Sequence, residues 1–434
     1  MLITRATLLD GTRTDIRTDH RITEMAPRLP SRPGESVYDT DGGTVLPGLH
    51  DHHLHVRAAA AASTSVRVGP EEVTDLSHLA VVLANAAPDH DGWIRAVAYH
   101  EAAAGALDRT VLDAVAPDVP VRIQHRSGVQ WFINSPGLAR LGLAGHPDGV
   151  LASADPRWSA ALRRTAPDLT AFSAQLSAYG VTGITDATPD LDTDDIAALH
   201  AAAQRGELRQ RLHILAPGKR ILHDDALDLD ELAAWITDRH DADVPVALHC
   251  VTAAQLTVAL EALRTAGHHP CDRIEHAAVV PDGSLDMLAA AGATVVTQPN
   301  FVAERGEQYL RDVPADEHHE LWRVAALRTA GIPVALSTDA PFGDADPWAA
   351  MRAAVHRRTR TGTTLGAAER VSPAEALAMF TGSARHPAVP RTVAVGAPAD
   401  LCVLSAGPQQ VLAELDAGLI AATVIGGEIA YRSG

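Results

Sequence analysis

Lysine is almost missing from this chain. Of its 434 residues 36 are basic, and a single one, Lys219, is lysine; the rest are arginine. Either a lysine-poor sequence keeps one by chance, or that position needs an amine able to lose its proton. Arginine cannot supply one, whereas a desolvated lysine beside other cations can. Cysteine is scarce too. Cys250, Cys271 and Cys402 lie far apart, which argues against a disulfide framework and against a zinc–thiolate cluster. No apolar run approaches the ~20 residues of a membrane helix. Met1–Arg5 has neither the basic stretch nor the apolar core of a signal peptide. A cytoplasmic location is the resulting expectation. Positive charge is in deficit, with a formal net charge of −18, which disfavours nucleic acid and anionic membrane as partners. Neither G-x-G-x-x-G nor G-x-x-x-x-G-K-[ST] occurs, so a nucleotide-cradling loop is not expected.

What is present suits a soluble enzyme: 46% hydrophobic and 21% charged residues, and enough length for more than one domain. Residues 1–45 read as short strands at Leu2–Leu9 and Arg21–Met25 around an Asp10-Gly11 turn, ending at Gly43–Leu46. Residues 58–170 read as alanine-rich helical sequence with strand-like patches at 93–99 and 119–124. From 170 onward helices and strands alternate: helix 170–179 and strand 181–186, helix 192–205 and strands 211–216 and 219–223, helix 229–240 and strand 244–250. Helix 253–266, strand 273–276, helix 283–291, strand 293–298, helix 318–330 and strand 333–338 follow. This spacing argues for parallel α/β, as a (β/α)8 barrel or a doubly wound sheet. Asp186, His249, His276 and Asp339 fall at the C-terminal tips of strands, where barrel enzymes gather their sites, and this favours the barrel. Residues 396–434 return to strands and are expected to join 1–45.

The densest polar motif is His50-Asp51-His52-His53-Leu54-His55, preceded by the apolar Val45-Leu46 and a Pro-Gly turn. On a strictly alternating strand Asp51, His53 and His55 share one face, and His50 and His52 the other. Buried imidazoles beside a carboxylate need partners, and a metal ion is an economical one. His53, His55, Lys219, His249, His276 and Asp339 are the candidates. Singly, each has an ordinary reading: a core histidine for His249, a surface charge cluster for His276, a helix cap for Asp339. Together they suit a hydrolase in which histidines hold one or two divalent ions and a carboxylate takes the proton of an activated water.

At this point the whole chain resembles the metal-dependent amidohydrolase superfamily, in the YtcJ-like branch related to N-substituted formamide deformylases and D-aminoacylases. Pro47–His55 resembles the first-strand "PG-x-x-D-x-H-x-H" motif. Gly92–Arg95 and Gln124–Gly128 with Trp131 and Asn134-Ser135 resemble the branch's insertion. Gly180–Asp186 resembles "GVT…D", Arg273–His276 matches "RIEH", and Leu336–Pro341 matches the "SDAP" strand. Gly396–Leu401 and Ile425–Glu428 resemble the closing "G-x-x-ADL" and "GG" signatures.

The resemblance implies a distorted (β/α)8 barrel over residues 46–384, with an inserted helical segment at about 58–170. It also implies a small β-sandwich made from 1–45 and 385–434. His53 and His55 would bind one metal and His249 and His276 a second; Lys219, carboxylated, would bridge them. Asp339 would be both ligand and general base. Zinc is the first expectation for the ion, with manganese and iron as alternatives. His125, Arg126, Trp131, His223 and Asn300 are the expected substrate contacts, and His50 and His52 are expected to pack or support. Only Pro217-Gly218 separate 211–216 from 219–223, so either a crossover helix is missing or the two are one kinked strand.

The expected reaction is hydrolysis of an amide-type C–N bond (N-acyl, formamide or cyclic amide) in a small molecule, and a homodimer is the default assembly. The alternative is a deaminase of the same superfamily, which typically places a glutamate just past the fifth-strand histidine; Cys250–Gln255 contains none. A non-catalytic binding barrel is a third reading, disfavoured by the complete ligand set.

Overall fold

The computed structural model describes residues 1–116, 118–153, 155, 158 and 167–434. These form two compact units, Met1–Val56 with Leu169–Gly434, and Arg57–Asp168. Among the described residues no helix is long and apolar enough to cross a membrane.

The first unit is α/β. Its parallel strands are β1 (Leu49–Leu54), β2 (Val181–Asp186), β3 (Arg211–Ile214), β4 (Lys219–Ile221), β5 (Ala247–Cys250), β6 (Arg273–His276), β7 (Thr294–Thr297) and β8 (Val334–Leu336). They form two ladders, ordered β3-β2-β1 and β4-β5-β6-β7-β8. Two backbone hydrogen bonds link the edge strands of these ladders beyond β8, from His55 N–H to the Ala340 carbonyl (2.8 Å) and from Asp339 N–H to the His53 carbonyl (2.9 Å). Helices fill most crossovers. Ala253–Ala266, for example, is capped by the Thr252 hydroxyl and buries Leu256, Ala259, Leu260 and Leu263 at helical spacing.

Between β3 and β4 the four residues 215–218 replace a crossover helix. Each strand pairs with a different neighbour, β3 with β2 and β4 with β5. Gly218 is needed in this turn, because a Cβ there would lie 2.1 Å from the Pro245 carbonyl oxygen. The register then sets Lys219 level with Ala247 and Arg273.

The chain termini supply two antiparallel-rich sheets. One is ordered Ile22–Ala26, Arg13–Thr18, Leu2–Thr7, Val37–Asp39; the other Glu428–Arg432, Ile420–Ile425, Leu401–Leu404, Val45–Pro47. Ile3, Ile16, Ile22, Val45, Leu401, Val403 and Val424 share one buried cluster. The strand Arg13–Thr18 was not expected, since its sequence is polar. It is nonetheless buried, because Arg17 pairs with Glu24 and Glu35, and Asp15 accepts from the Arg5 and Leu29 amides.

Two further expectations need correction. The inserted segment has helices at Leu76–Ala84, Glu101–Ala104, Arg109–Val115 and Ser135–Arg140, but it is not helical throughout: strands Val66–Arg67, Ile94–Tyr99, Val121–His125, Gln130–Ile133 and Val150–Ala152 form a five-stranded sheet. Residues 117, 154, 156, 157 and 159–166 of that span lie outside the described residues. The expected helix 318–330 is helical only at Ala325–Thr329, after a 3-10 turn at Ala315–Glu320. Leu321 forms a bridge with Val279 and Trp322 takes a positive φ of 50°, which interrupts the helix.

Candidate metal centre

The pairing of β1 with β2 shifts register twice, and the second shift breaks the strict alternation expected along β1. Between the pairs Ile184/Asp51 and Asp186/Leu54, two steps along β2 oppose three along β1. That is a bulge, and one extra residue reverses which side every later residue faces. His53 therefore returns to the side of His52. The run is two His-x-His pairs laid end to end: His50 and His52 stack with ring centroids 4.6 Å apart, and His53 and His55 meet edge-on at 5.5 Å. Asp51 is turned away from them. It accepts from the Thr338 backbone N–H (3.1 Å) and hydroxyl, tying β1 to β8, and burial pushes its carboxyl up to about 7.

The upper pair meets the end of β8. His53 Nε2 and His55 Nε2 lie 3.5 and 3.4 Å from Asp339 Oδ1. His276 Nδ1 lies 3.9 Å from Asp339 Oδ2. The ring centroids of His53 and His276 are 4.7 Å apart, and those of His276 and His249 4.4 Å. Lys219 is buried next to this group. Burial is the main cause that lowers its ammonium to about 8; Glu275 and Asp339 oppose the shift and Arg273 adds to it. Burial likewise holds His53 and His276 well below the usual imidazole range and His249 near 3, with Lys219 close enough to contribute in each case. Neutral imidazoles are the form that binds metal.

The ring orientations are set from behind. The Glu275 carboxylate bonds His53 Nδ1 and is itself held by Arg273 Nε and Nη2 at 2.6 and 3.1 Å. Arg273 Nη2 also donates to the His52 carbonyl at 2.6 Å. His276 Nδ1 meets Gln298 Oε1 at 2.9 Å, and the Gln298 amide nitrogen donates to Ser337 Oγ and the Val296 carbonyl. His55 Nδ1 meets Thr188 Oγ1 at 3.3 Å. With Nδ1–H donated to the Glu275 and Gln298 oxygens, the Nε2 lone pairs of His53 and His276 are left for the site. Sequence reasoning missed Glu275, Gln298 and Thr188 in this role. The signal for Glu275 was its place directly before a ligand candidate, in Arg-Ile-Glu-His.

A cation fits this group. His53 Nε2, Asp339 Oδ1 and Lys219 Nζ are buried and have no hydrogen-bond partner among the described residues, and buried polar atoms normally have one. Ligand atoms of His53, His55 and Asp339 lie within 4.8 Å of one another.

The remaining candidates are placed as follows. Asp186 caps the segment after β1, accepting from the Val56 and Thr188 amides. His223 is exposed just past β4 and adds to the electrostatic environment of His249. Asn300 is buried at the start of the helix after β7. His50 bonds Thr185 Oγ1 at 2.9 Å, while both ring nitrogens of His52 lack a partner among the described residues.

His125, Arg126 and Trp131 belong to the second unit. There Trp131 is buried, edge-on to Trp158 at 6.1 Å, with the Arg95 and Arg122 guanidinia 5.4 and 5.7 Å from its ring. A second His–carboxylate group, His100, Glu101 and His125, also lies in that unit. Both of its Nδ1 atoms accept backbone N–H bonds, from Ala102 and Ser127. His125 Nε2 bonds the Glu101 carboxylate at 3.3 Å, and His100 Nε2 lies 3.7 Å from it. This group is internally hydrogen-bonded.

The amidohydrolase family profile matches residues 36–431. The chain belongs to the amidohydrolase family. It is a hydrolase acting on carbon–nitrogen bonds. It is 25% identical to the N-substituted formamide deformylase of Arthrobacter pascens, over 84% of this chain and 83% of that protein. It is 28% identical over 223 residues to YtcJ of Bacillus subtilis strain 168, an amidohydrolase by its description, covering 49% of this chain and 41% of that one. The resemblance to the YtcJ-like branch is thus borne out. Among solved structures, a metal-dependent hydrolase of Pyrococcus horikoshii OT3 superposes with a TM-score of 0.75 at 18% identity, covering 95% of this chain and 98% of the other. The 5-methylcytosine deaminase of Klebsiella pneumoniae superposes at 0.57 and 14% identity, covering 100% and 98%. At these identities the structures share the fold.

Proposed function

We propose that the protein hydrolyses an amide-type C–N bond of a small molecule, with one or two divalent ions held by His53, His55, His249, His276, Asp339 and a carboxylated Lys219. The observation that carries this reading is the convergence of His53 Nε2 and His55 Nε2 on Asp339 Oδ1, with buried site atoms left unpartnered. The eight parallel strands are then a distorted barrel, and the two terminal sheets a β-sandwich. Zinc is the expected ion, with manganese and iron as alternatives. The relative's N-substituted formamides place formamides first among the substrates to try, ahead of N-acyl amino acids and cyclic amides.

A bound divalent ion would polarise the scissile carbonyl and acidify the attacking water. Asp339 takes the water proton on a carboxylate oxygen as the C–O bond forms. It returns that proton to the departing nitrogen, so the C–N bond breaks to a neutral amine and a carboxylic acid, which then loses its remaining proton to solvent. Glu275 and Gln298 hold His53 and His276 in the required tautomers throughout. Lys219 Nζ, lowered to about 8 by burial, has the neutral fraction that carboxylation requires.

The test is metal-dependent hydrolysis of N-alkylformamides by wild-type protein reloaded with zinc or manganese. Turnover that a chelator abolishes and metal restores is expected. Ammonia release from pyrimidines or purines, without amide cleavage, would replace this reading with deamination.

A further inference from the structure

The loop that follows β8 carries Asp339, and one helix holds that loop from beneath. Asp339 has a positive φ of 57°, an uncommon conformation for a side chain-bearing residue that persists only where its surroundings fix it. Its carbonyl accepts from the Phe342 and Gly343 amides at 2.8 and 3.1 Å. Phe342 packs edge-on to the His55 ring at 5.2 Å. The helix Asn300–Asp312 starts three residues after β7. Asn300 Nδ2 donates to the Thr338 carbonyl at 3.1 Å and to Glu304 Oε1 at 3.1 Å. Glu304 Oε1 also accepts the Asp344 N–H at 3.1 Å. Arg305 Nη2 donates to the Phe342 carbonyl at 2.6 Å, with its guanidinium 4.1 Å from the Phe301 ring.

We propose that Asn300, Glu304 and Arg305 are a clamp that positions Asp339 for proton transfer, with Asn300 as its central positioning residue. The inference rests on the reading of Asp339 as the base. Two observations point to a fitted contact. The Asn300 amide is oriented by two acceptors while its Oδ1 stays buried without a partner among the described residues, a cost accepted to reach Thr338. Gly343 makes room for it: a Cβ there would lie 2.3 Å from Asn300 Nδ2 and 2.3 Å from the Thr338 oxygen. Burial raises the Glu304 carboxyl to about 7 against the opposing hydrogen bonds from the Asp344 N–H and Asn300 and the nearby Arg305 charge, so its place behind the loop is costly as well.

Hydrogen exchange of the metal-loaded full chain tests this without a substrate. In Asn300→Ala the amides of Phe342, Gly343 and Asp344 should exchange about tenfold faster or more, with Val295 and Val296 of β7 unchanged and metal content retained. Gly343→Ala, which displaces Asn300 from the other side, should reproduce that pattern if Asn300→Ala fails to fold. With any amide that wild type turns over, kcat should fall and KM stay near its starting value. Unchanged loop exchange in both variants, or uniform acceleration that includes β7, overturns the clamp. If wild type hydrolyses no amide, the proposed reaction fails while the exchange data still decide the clamp.

Discussion

Two groups in this chain set histidines around a carboxylate, and they differ in where the ring protons are. At His100, Glu101 and His125 both Nδ1 atoms accept backbone N–H bonds, and His125 Nε2 bonds the Glu101 carboxylate. At His53, His55 and Asp339 the Nδ1 atoms face Glu275 and Thr188, and His53 Nε2 and Asp339 Oδ1 are buried without a partner among the described residues. The first arrangement uses its ring nitrogens in hydrogen bonds of its own; the second leaves buried ligand atoms that an ion would satisfy. Residue type and spacing alone do not separate a metal site from a hydrogen-bonded cluster. The partner of the far nitrogen does.

Several substitutions press on that difference. The largest effect is expected at Asp339: Asp339→Asn should lower kcat on a hydrolysed amide by about 10²–10⁴-fold with zinc content kept, as measured by steady-state kinetics and metal analysis. Next, His53→Ala should strip the ion from the protein while His125→Ala leaves its metal content unchanged; equal losses would erase the contrast between the groups. Lys219→Arg keeps a cation but cannot be carboxylated, and should reduce bound metal from two ions per chain to one.

Glu275→Gln keeps a hydrogen-bond acceptor beside His53 but removes the charge. It should weaken zinc binding by about 10–100-fold in a chelator competition. The smallest effect is on acid stability. Burial lowers the folded-state pKa of His53, His249 and His276 below their ordinary value. The unfolded chain therefore binds more protons below pH ~6.5, and the stability these rings contribute is present above that pH and lost as pH falls. The raised carboxyls of Asp51 and Glu304 act in the opposite sense, their contribution declining as pH rises from the ordinary carboxylate range toward about 7. The metal-free protein should melt lower as pH drops from 6.5 toward 4, and His249→Asn should flatten that slope in a thermal-melt series.

Most of the parallel α/β pattern was legible, because apolar strands such as Val181–Asp186, Ala247–Cys250, Thr294–Thr297 and Val334–Leu336 alternate with longer helical stretches. The site residues were legible as chemistry at strand ends. Their facing was not. The bulge in β1 follows from its pairing with β2, which no alternation rule within one strand reveals, although His-x-His-His-x-His spells two in-facing pairs once the bulge is known. Arg13–Thr18 was hidden because its buried polar residues are paired with residues distant in sequence. The helix expected at 318–330 lost its first turns to a bridge between Leu321 and Val279 and to the left-handed Trp322, a tertiary effect that outweighs local propensity. Glu275, Gln298 and Thr188 escaped because what marks them is the nitrogen they face.

The most direct measurement is metal content combined with intact mass of native protein purified without chelator and supplied with zinc and bicarbonate. The account predicts two divalent ions per chain and a mass increment of one carbon dioxide on Lys219; in Lys219→Arg the increment is lost and the metal content falls to one ion. Stoichiometry well below one ion per chain, with no amide hydrolysis gained on adding zinc or manganese, would contradict it.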